Sequence, residues 1–195
     1  MDDAASIALT VQWLERAVIG LNLCPFAKSV HSKGQIHYAV TPASTTAELL
    51  DILKYEINGL QAHESIARDT TLLIAPSAFP DFLDFNDFLP ECDRLLRRMK
   101  LDGIFQIASF HPQFQFAGTG PDDITNFTNR APFPILHLLR ENSIDRAVEA
   151  FPEPDAIFEK NMQTLQGLGL QGWNALNLQA PISLGGVLPD SKIPE

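Results

Sequence analysis

A chain of 195 residues with 45% hydrophobic and 19% charged residues has the length of one globular domain with a sizeable core. Its formal charge of −10, with 14 Lys and Arg against 24 Asp and Glu, disfavours nucleic acid as a partner, because phosphate binding needs clustered cations. No apolar run approaches the roughly 18 residues of a membrane span, Met1-Asp2-Asp3 carries no basic leader, and two isolated cysteines make no disulfide framework, so a reducing cytoplasm is the expected location.

In chain order, Ile7, Val11, Leu14, Val18 and Leu21 alternate at spacings of four and three, which predicts one amphipathic helix over residues 6–21, capped by Ser6. Cys24-Pro25-Phe26 interrupts it, a short turn over 25–31 follows, and Gln35 to Val40 alternates as a half-buried strand. Thr45-Thr46-Ala47-Glu48 has the form of a capping box, opening a helix with Leu49, Ile52, Leu53, Ile57 and Leu60 as its core stripe. Thr71 to Ala75 reads as a buried strand stopped by Pro76. Residues 81–89 have helical spacing, with Pro90 at the first turn of a new or continued helix whose stripe is Cys92, Leu95, Leu96 and Met99. Residues 104–110 form a third strand.

Strand, helix, strand, helix, strand predicts an α/β fold, a single domain around a mostly parallel sheet of three or more strands with crossover helices. The sheet becomes mixed if residues 114–117 return as an antiparallel edge strand. A ferredoxin-like α+β sandwich is the alternative. In the parallel arrangement Thr41-Pro42, Pro76-Ser77 and Ser109 to His111 share the C-terminal edge, where ligands of open α/β sheets gather. Residues 134–141 are expected to be helical, 143–151 a continuation or second short helix, and 154–168 a helix ended by Gly167 and Gly169. Residues 170–195 are expected to form an irregular tail packed through Trp173, Leu176 and Ile182.

Between the third strand and the next apolar run lie about 23 residues rich in His, Asp, Asn, Thr, Gly and Pro, a length that is uncommon inside a compact domain unless it is functional or disordered. Phe110, Phe114, Phe116, Phe127 and Phe133 argue for order. Gly20 to Ala27, Gln106 to Pro112, Phe116 to Thr119, Asp122-Asp123, Asn126 to Arg130 and His137 to Glu141 together resemble the bacterial family catalogued as domain of unknown function 1415. That resemblance implies no reaction or cofactor.

The candidate site residues are concentrated there. His111, at the sheet edge, is a candidate acid or base. Asp122 and Asp123 would orient it or hold an ion, and one of them would cap Thr125 or Asn126. Arg130 has the fork that takes a carboxylate or phosphate in two contacts, and Ser109, Thr119, Asn126, Asn129, His137 and Arg140 complete a candidate substrate-binding set, His137 and Arg140 on one helical face. Structural use of the same residues to hold the loop is an equally weighted reading. A hard cation would want Asp122, Asp123, Thr119 and Asn126, whereas zinc would want His111 and His137 without the usual spacing. Cys24-Pro25-Phe26-Ala27 resembles the active-site tetrapeptide of omega-class glutathione transferases, which makes Cys24 a candidate nucleophile set against a buried apolar cysteine.

Three functions follow as expectations. The first is a small enzyme acting on an anionic small molecule through His111 and Arg130, the second a Cys24 thiol-dependent transferase or hydrolase, and the third a non-catalytic ligand-binding protein. The sequence names no cofactor, metal or oligomeric state.

Overall fold

The computed structural model describes residues 2–149 and 156–178. The first helix, α1 (Asp3–Trp13), is capped by the Asp2 carboxylate on the Ala5 N–H, one turn earlier than the expected Ser6 cap. It then widens into a π-helical segment, Leu14–Ile19. A tight turn with Asn22 at φ 55° leads into α2 (Ala27–Ser32).

Strand β1 (Ile36–Val40), α3 (Thr46–Ala62), β2 (Thr70–Ile74), α4 (Phe82–Arg98) and β3 (Phe105–Phe110) follow in alternation. The capping box at Thr45 and Glu48 is formed, and backbone donors from Ser44, with the Thr45 contacts, hold the Glu48 carboxyl below its usual range. Pro90 does not open a helix; it lies inside α4, where its missing N–H deletes one rung of the ladder.

Residues 134–141 depart most from expectation. They form β4 (Ile135–Arg140), which lies in the middle of a four-stranded sheet of order β1-β2-β4-β3. Leu, His and Arg tolerate a helix, but the segment sits between two strands, with Ile135 packed into one core and Leu136 and Leu138 into the other. That alternation with both faces covered selects a strand over intrinsic propensity. The sheet is therefore mixed: β1 pairs with β2 in parallel, and β4 is antiparallel to both neighbours. The antiparallel member is central, while residues 114–117 form no strand. Adjacent parallel pairing of β1 and β2 rules out the ferredoxin-like alternative.

Register fixes the functional geography. Val40 pairs with Ile74, Ile74 with Ile135 and Ile135 with Phe110, so the C-terminal ends of β1, β2 and β3 do share one edge, and residues 111–134 connect two neighbouring strands above it. One face of the sheet is covered by α3 and α4 through Leu49, Leu53, Ile57, Phe85, Phe88 and Leu96 against Leu73, Leu136 and Leu138. The other is covered by Trp13, Leu14, Ala17 and Val18 against Leu72, Ile74 and Ile135, with Trp173 and Leu176 beside them.

After β4 comes α5 (Glu141–Glu149), then α6 (Ile157–Ala175), which passes through Gly167 and kinks at Gly169 (φ 60°) instead of ending there. Arg16 bonds the carbonyls of Leu176 and Asn177 and so caps its far end. Phe151 and Ile182 lie outside the described residues. Among the described residues no helix is long and apolar enough to cross a membrane.

Candidate functional site

The long connection is an ordered structure that consumes its own polar groups. The His111 N–H donates to the Asn129 carbonyl at 3.2 Å, and the Asn129 amide donates to the Ser109 carbonyl at 3.2 Å, tying the end of the loop to its start. Asn126 is 0% exposed. Its Oδ1 accepts from the Phe116 N–H at 2.9 Å and the Thr119 hydroxyl at 2.8 Å, and its Nδ2 donates to the Gly120 carbonyl at 2.8 Å. Three partners on one buried amide make it the organiser of the loop. Asp123 accepts from the N–H and hydroxyl of Thr125; those bonds, the hydroxyl's first, lower its pKa and cap the 3-10 turn Ile124–Thr128. Asp122 is exposed.

Arg130 belongs to the same framework. Its Nε donates to the Phe114 carbonyl at 3.2 Å and its Nη2 to the Pro121 carbonyl, while the guanidinium lies 4.4 Å from the centre of the Phe127 ring. Phe127 in turn packs edge-on against Trp173 of α6. No helix begins near Pro134, where β4 starts instead, so no helix dipole stands beside Arg130 on that side.

His111 faces the other flank. Its ring is 1% exposed, stacked on Phe85 at 5.3 Å and against Phe82 at 5.6 Å. Nδ1 accepts from the Gln113 N–H at 3.0 Å, so the ring proton sits on Nε2, which donates to the Phe79 carbonyl at 2.9 Å. Burial lowers its pKa. A neutral imidazole with both nitrogens engaged is a strut, and it offers a substrate no lone pair or proton. What it supports is Phe79, held at φ 50°, a conformation bulky residues rarely adopt. His111 and Arg130 thus spend their polar atoms on backbone groups of the loop and its surroundings and Asp123 on Thr125, while the Asp122 carboxylate acts on the Arg130 guanidinium and favours its charge against burial.

His137 and Arg140 were expected on one helical face, but as β4 residues three apart they point to opposite faces of the sheet. The Thr70 hydroxyl lies 2.6 Å from both His137 Nε2 and the Leu138 carbonyl. The carbonyl can only accept, so the threonine proton goes to it and His137 donates to the threonine oxygen. Burial pushes the His137 pKa down to about 4.

Arg140 lies at the N-terminal end of the parallel strands, one strand length of roughly 20 Å from His111. Its Nε and Nη2 donate to the carbonyls of Arg68, Leu60 and His63, and its guanidinium stands 5.6 Å from the Phe105 ring centre. It lines a cavity of about 240 Å³ with Gly103, Ile104, Phe105 and Asn142.

Cys24 is half-buried. Burial raises its pKa more than the N–H groups of Phe26 and Ala27, which reach its sulfur at the opening of α2, lower it. The thiol is therefore protonated at neutral pH, and the thiolate a nucleophile needs is scarce. Cys92, on the α4 stripe, is pushed to about 12 chiefly by burial. Among the described residues no group of three or more His, Cys, Asp or Glu could hold a metal ion.

Sequence reasoning passed over one polar cluster. Glu56 and Arg68, 7% and 9% exposed, pair at 2.5 Å. Arg68 also donates to the Thr71 hydroxyl at 2.9 Å, and His37 lies 3.6 Å from the Glu56 carboxylate. The available signal was Leu49, Leu53, Glu56 and Leu60 spaced four, three and four, a carboxylate standing on a core stripe.

The family model described as "Protein of unknown function (DUF1415)" matches residues 5–175. No curated protein and no solved structure matches the chain.

Proposed function

We propose, the chain being a member of the family of unknown function DUF1415, that it binds a small anionic molecule without using His111 as an acid or base, and that Arg140 rather than Arg130 is the anion anchor. One observation carries this reading. Arg140 lines a cavity, spends its hydrogen bonds on three carbonyls, and has no carboxylate within 4.0 Å among the described residues, whereas Arg68 and Arg94 are paired. On a chain of net charge −10, a guanidinium in a concavity is where an anion is attracted; burial disfavours its charge, and the nearby Asp69 and Glu64 carboxylates favour it. The Asn142 amide adds a neutral donor beside it. The lining offers no carboxylate, imidazole or thiol, which supports binding rather than turnover.

The test is thermal unfolding at fixed ionic strength with inorganic phosphate, succinate and acetate, on the wild type and Asn142→Asp. That variant adds a negative charge to the cavity and leaves the Arg140 bonds alone. At ligand near ten times Kd, the midpoint of the wild type rises by about 3–6 °C and that of the variant stays flat. Failure of all three anions to stabilise the wild type removes the proposal.

A further inference from the structure

The sheet has two outer strands, β1 and β3, and their free edges differ. The Gln35 carbonyl accepts from the Thr70 N–H and the Thr41 N–H donates to the Ile74 carbonyl, and the register between them is unbroken. Odd-numbered residues of β1 thus face β2, and Ile36, Tyr38 and Val40 aim their N–H and C=O groups out of the sheet. Among the described residues none of those groups has a hydrogen-bond partner. On β3 the Glu141 N–H donates to the Ile104 carbonyl, which makes Phe105, Ile107 and Ser109 the outward residues. There the Phe105 N–H is taken by the Leu101 carbonyl and the Ser109 carbonyl by the Asn129 amide, so the chain closes both ends of that edge. Proteins blunt an open edge with lysine, proline, a bulge or a covering segment. Ile36–Val40 carries no lysine, proline or bulge, and His37, held below its ordinary pKa chiefly by burial, is uncharged at neutral pH.

From this edge we infer that the chain self-associates, β1 pairing antiparallel with β1 of a second copy about a two-fold axis at Tyr38. The outward groups dictate the register. Tyr38 meets Tyr38 of the second copy, Ile36 meets its Val40 and Val40 its Ile36, and each of these pairs exchanges two hydrogen bonds, so every outward group is satisfied. A shift of two residues either way leaves outward groups of Ile36 or Val40 unmet. An edge of three outward residues centred on one of them is its own complement, which is what selects a second copy as the occupant. Charge agrees with this choice, since no charged side chain stands in the strand and His37 falls opposite Ala39, never opposite another His37. On the other face tyrosine stands against tyrosine and isoleucine against valine, aromatic and β-branched pairs that stabilise sheets. A contact of five residues a side is at the small end of specific interfaces, giving a weak dimer with a Kd of about 0.1 mM. The inference goes beyond the anion-binding reading and uses no residue of the Arg140 cavity.

Sedimentation velocity of the full chain from about 10 µM to about 1 mM, with amide exchange by NMR at both ends of that range, tests the pairing. The 21.6 kDa monomer is expected at the low end and mostly dimer at the high end. Over the same range exchange of the Ile36, Tyr38 and Val40 amides slows about threefold or more, whereas the His37 and Ala39 amides, already bonded to β2, keep one rate. Val40→Pro removes an outward N–H and no bond within the chain. It is expected to weaken association about tenfold or more, because the symmetry deletes two bonds at once. A monomer throughout the range leaves the edge to a different strand-shaped partner and overturns the proposal. So does a dimer in which the three outward amides exchange at one rate at both concentrations, or a folded Val40→Pro protein that associates like the wild type.

Discussion

Removing the imidazole of His111 leaves the Phe79 carbonyl and the Gln113 N–H without partners behind a wall of Phe82 and Phe85. His111→Ala is therefore expected to cost about 2–4 kcal/mol, combining a cavity with two unmet polar groups. Urea unfolding measures it; a change below about 0.5 kcal/mol, the ordinary surface level, would return His111 to the list of free functional groups. The same chemistry explains why the loop misleads at the level of sequence. Asn126, Asn129 and Arg130 are the residue types that bind ligands, and they are equally the types that satisfy stray carbonyls and N–H groups. Only the partner distinguishes the two uses, and the partners of Asn126, at Phe116, Thr119 and Gly120, are set by loop geometry that no spacing encodes.

At the scale of elements, those with local determinants were legible: the Thr45 capping box, the stripe of α3 and the short strand stopped by Pro76. β4 was not, because its identity comes from the strands that flank it and not from its own residues. Its burial has a pH consequence. His137 is held near pKa 4 in the fold against 6.5 as its ordinary value. Between those values the unfolded chain takes up a proton that the folded chain refuses, so stability falls as pH drops through that window and levels below it. The imidazole is half-buried, which puts the expected loss at about 1–3 kcal/mol. Denaturant titrations at pH 7 and pH 5 should show that loss in the wild type and a smaller one in His137→Gln; parallel behaviour of the two proteins would contradict it. In α3, a β-carbon on Gly59 would stand 2.9 Å from Arg68 Nη1. Alanine in a helix interior usually gains about 1 kcal/mol over glycine. Here the gain is expected to reverse to a loss of about that size, as Arg68 is pressed away from Glu56 and Thr71; a stabilised Gly59→Ala in the same unfolding assay would show that the pair yields freely.

For the molecule as a whole, the sheet edge carrying the three parallel strand ends was foreseen, yet the Arg140 guanidinium and the cavity it lines lie at the opposite edge. The two edges have different characters: one is closed over by a loop that bonds its own polar groups, the other presents a guanidinium beside a cavity. The position of β4 also separates the chain into interdependent halves. Everything before the exposed tip at Ala117 and Gly118 supplies β1, β2 and β3 with a gap in the middle, and everything after it supplies the strand that fills the gap. Severed at that tip, the chain should behave as a split protein. Fragments 1–117 and 118–195 are each expected to lack native circular dichroism alone and to regain it on mixing, since β4 leaves two long unpaired strand edges when absent. Independent folding of fragment 1–117 would show that the sheet closes without it. If complementation occurs, the loop becomes a natural place to make assembly of this fold conditional on two separately supplied pieces.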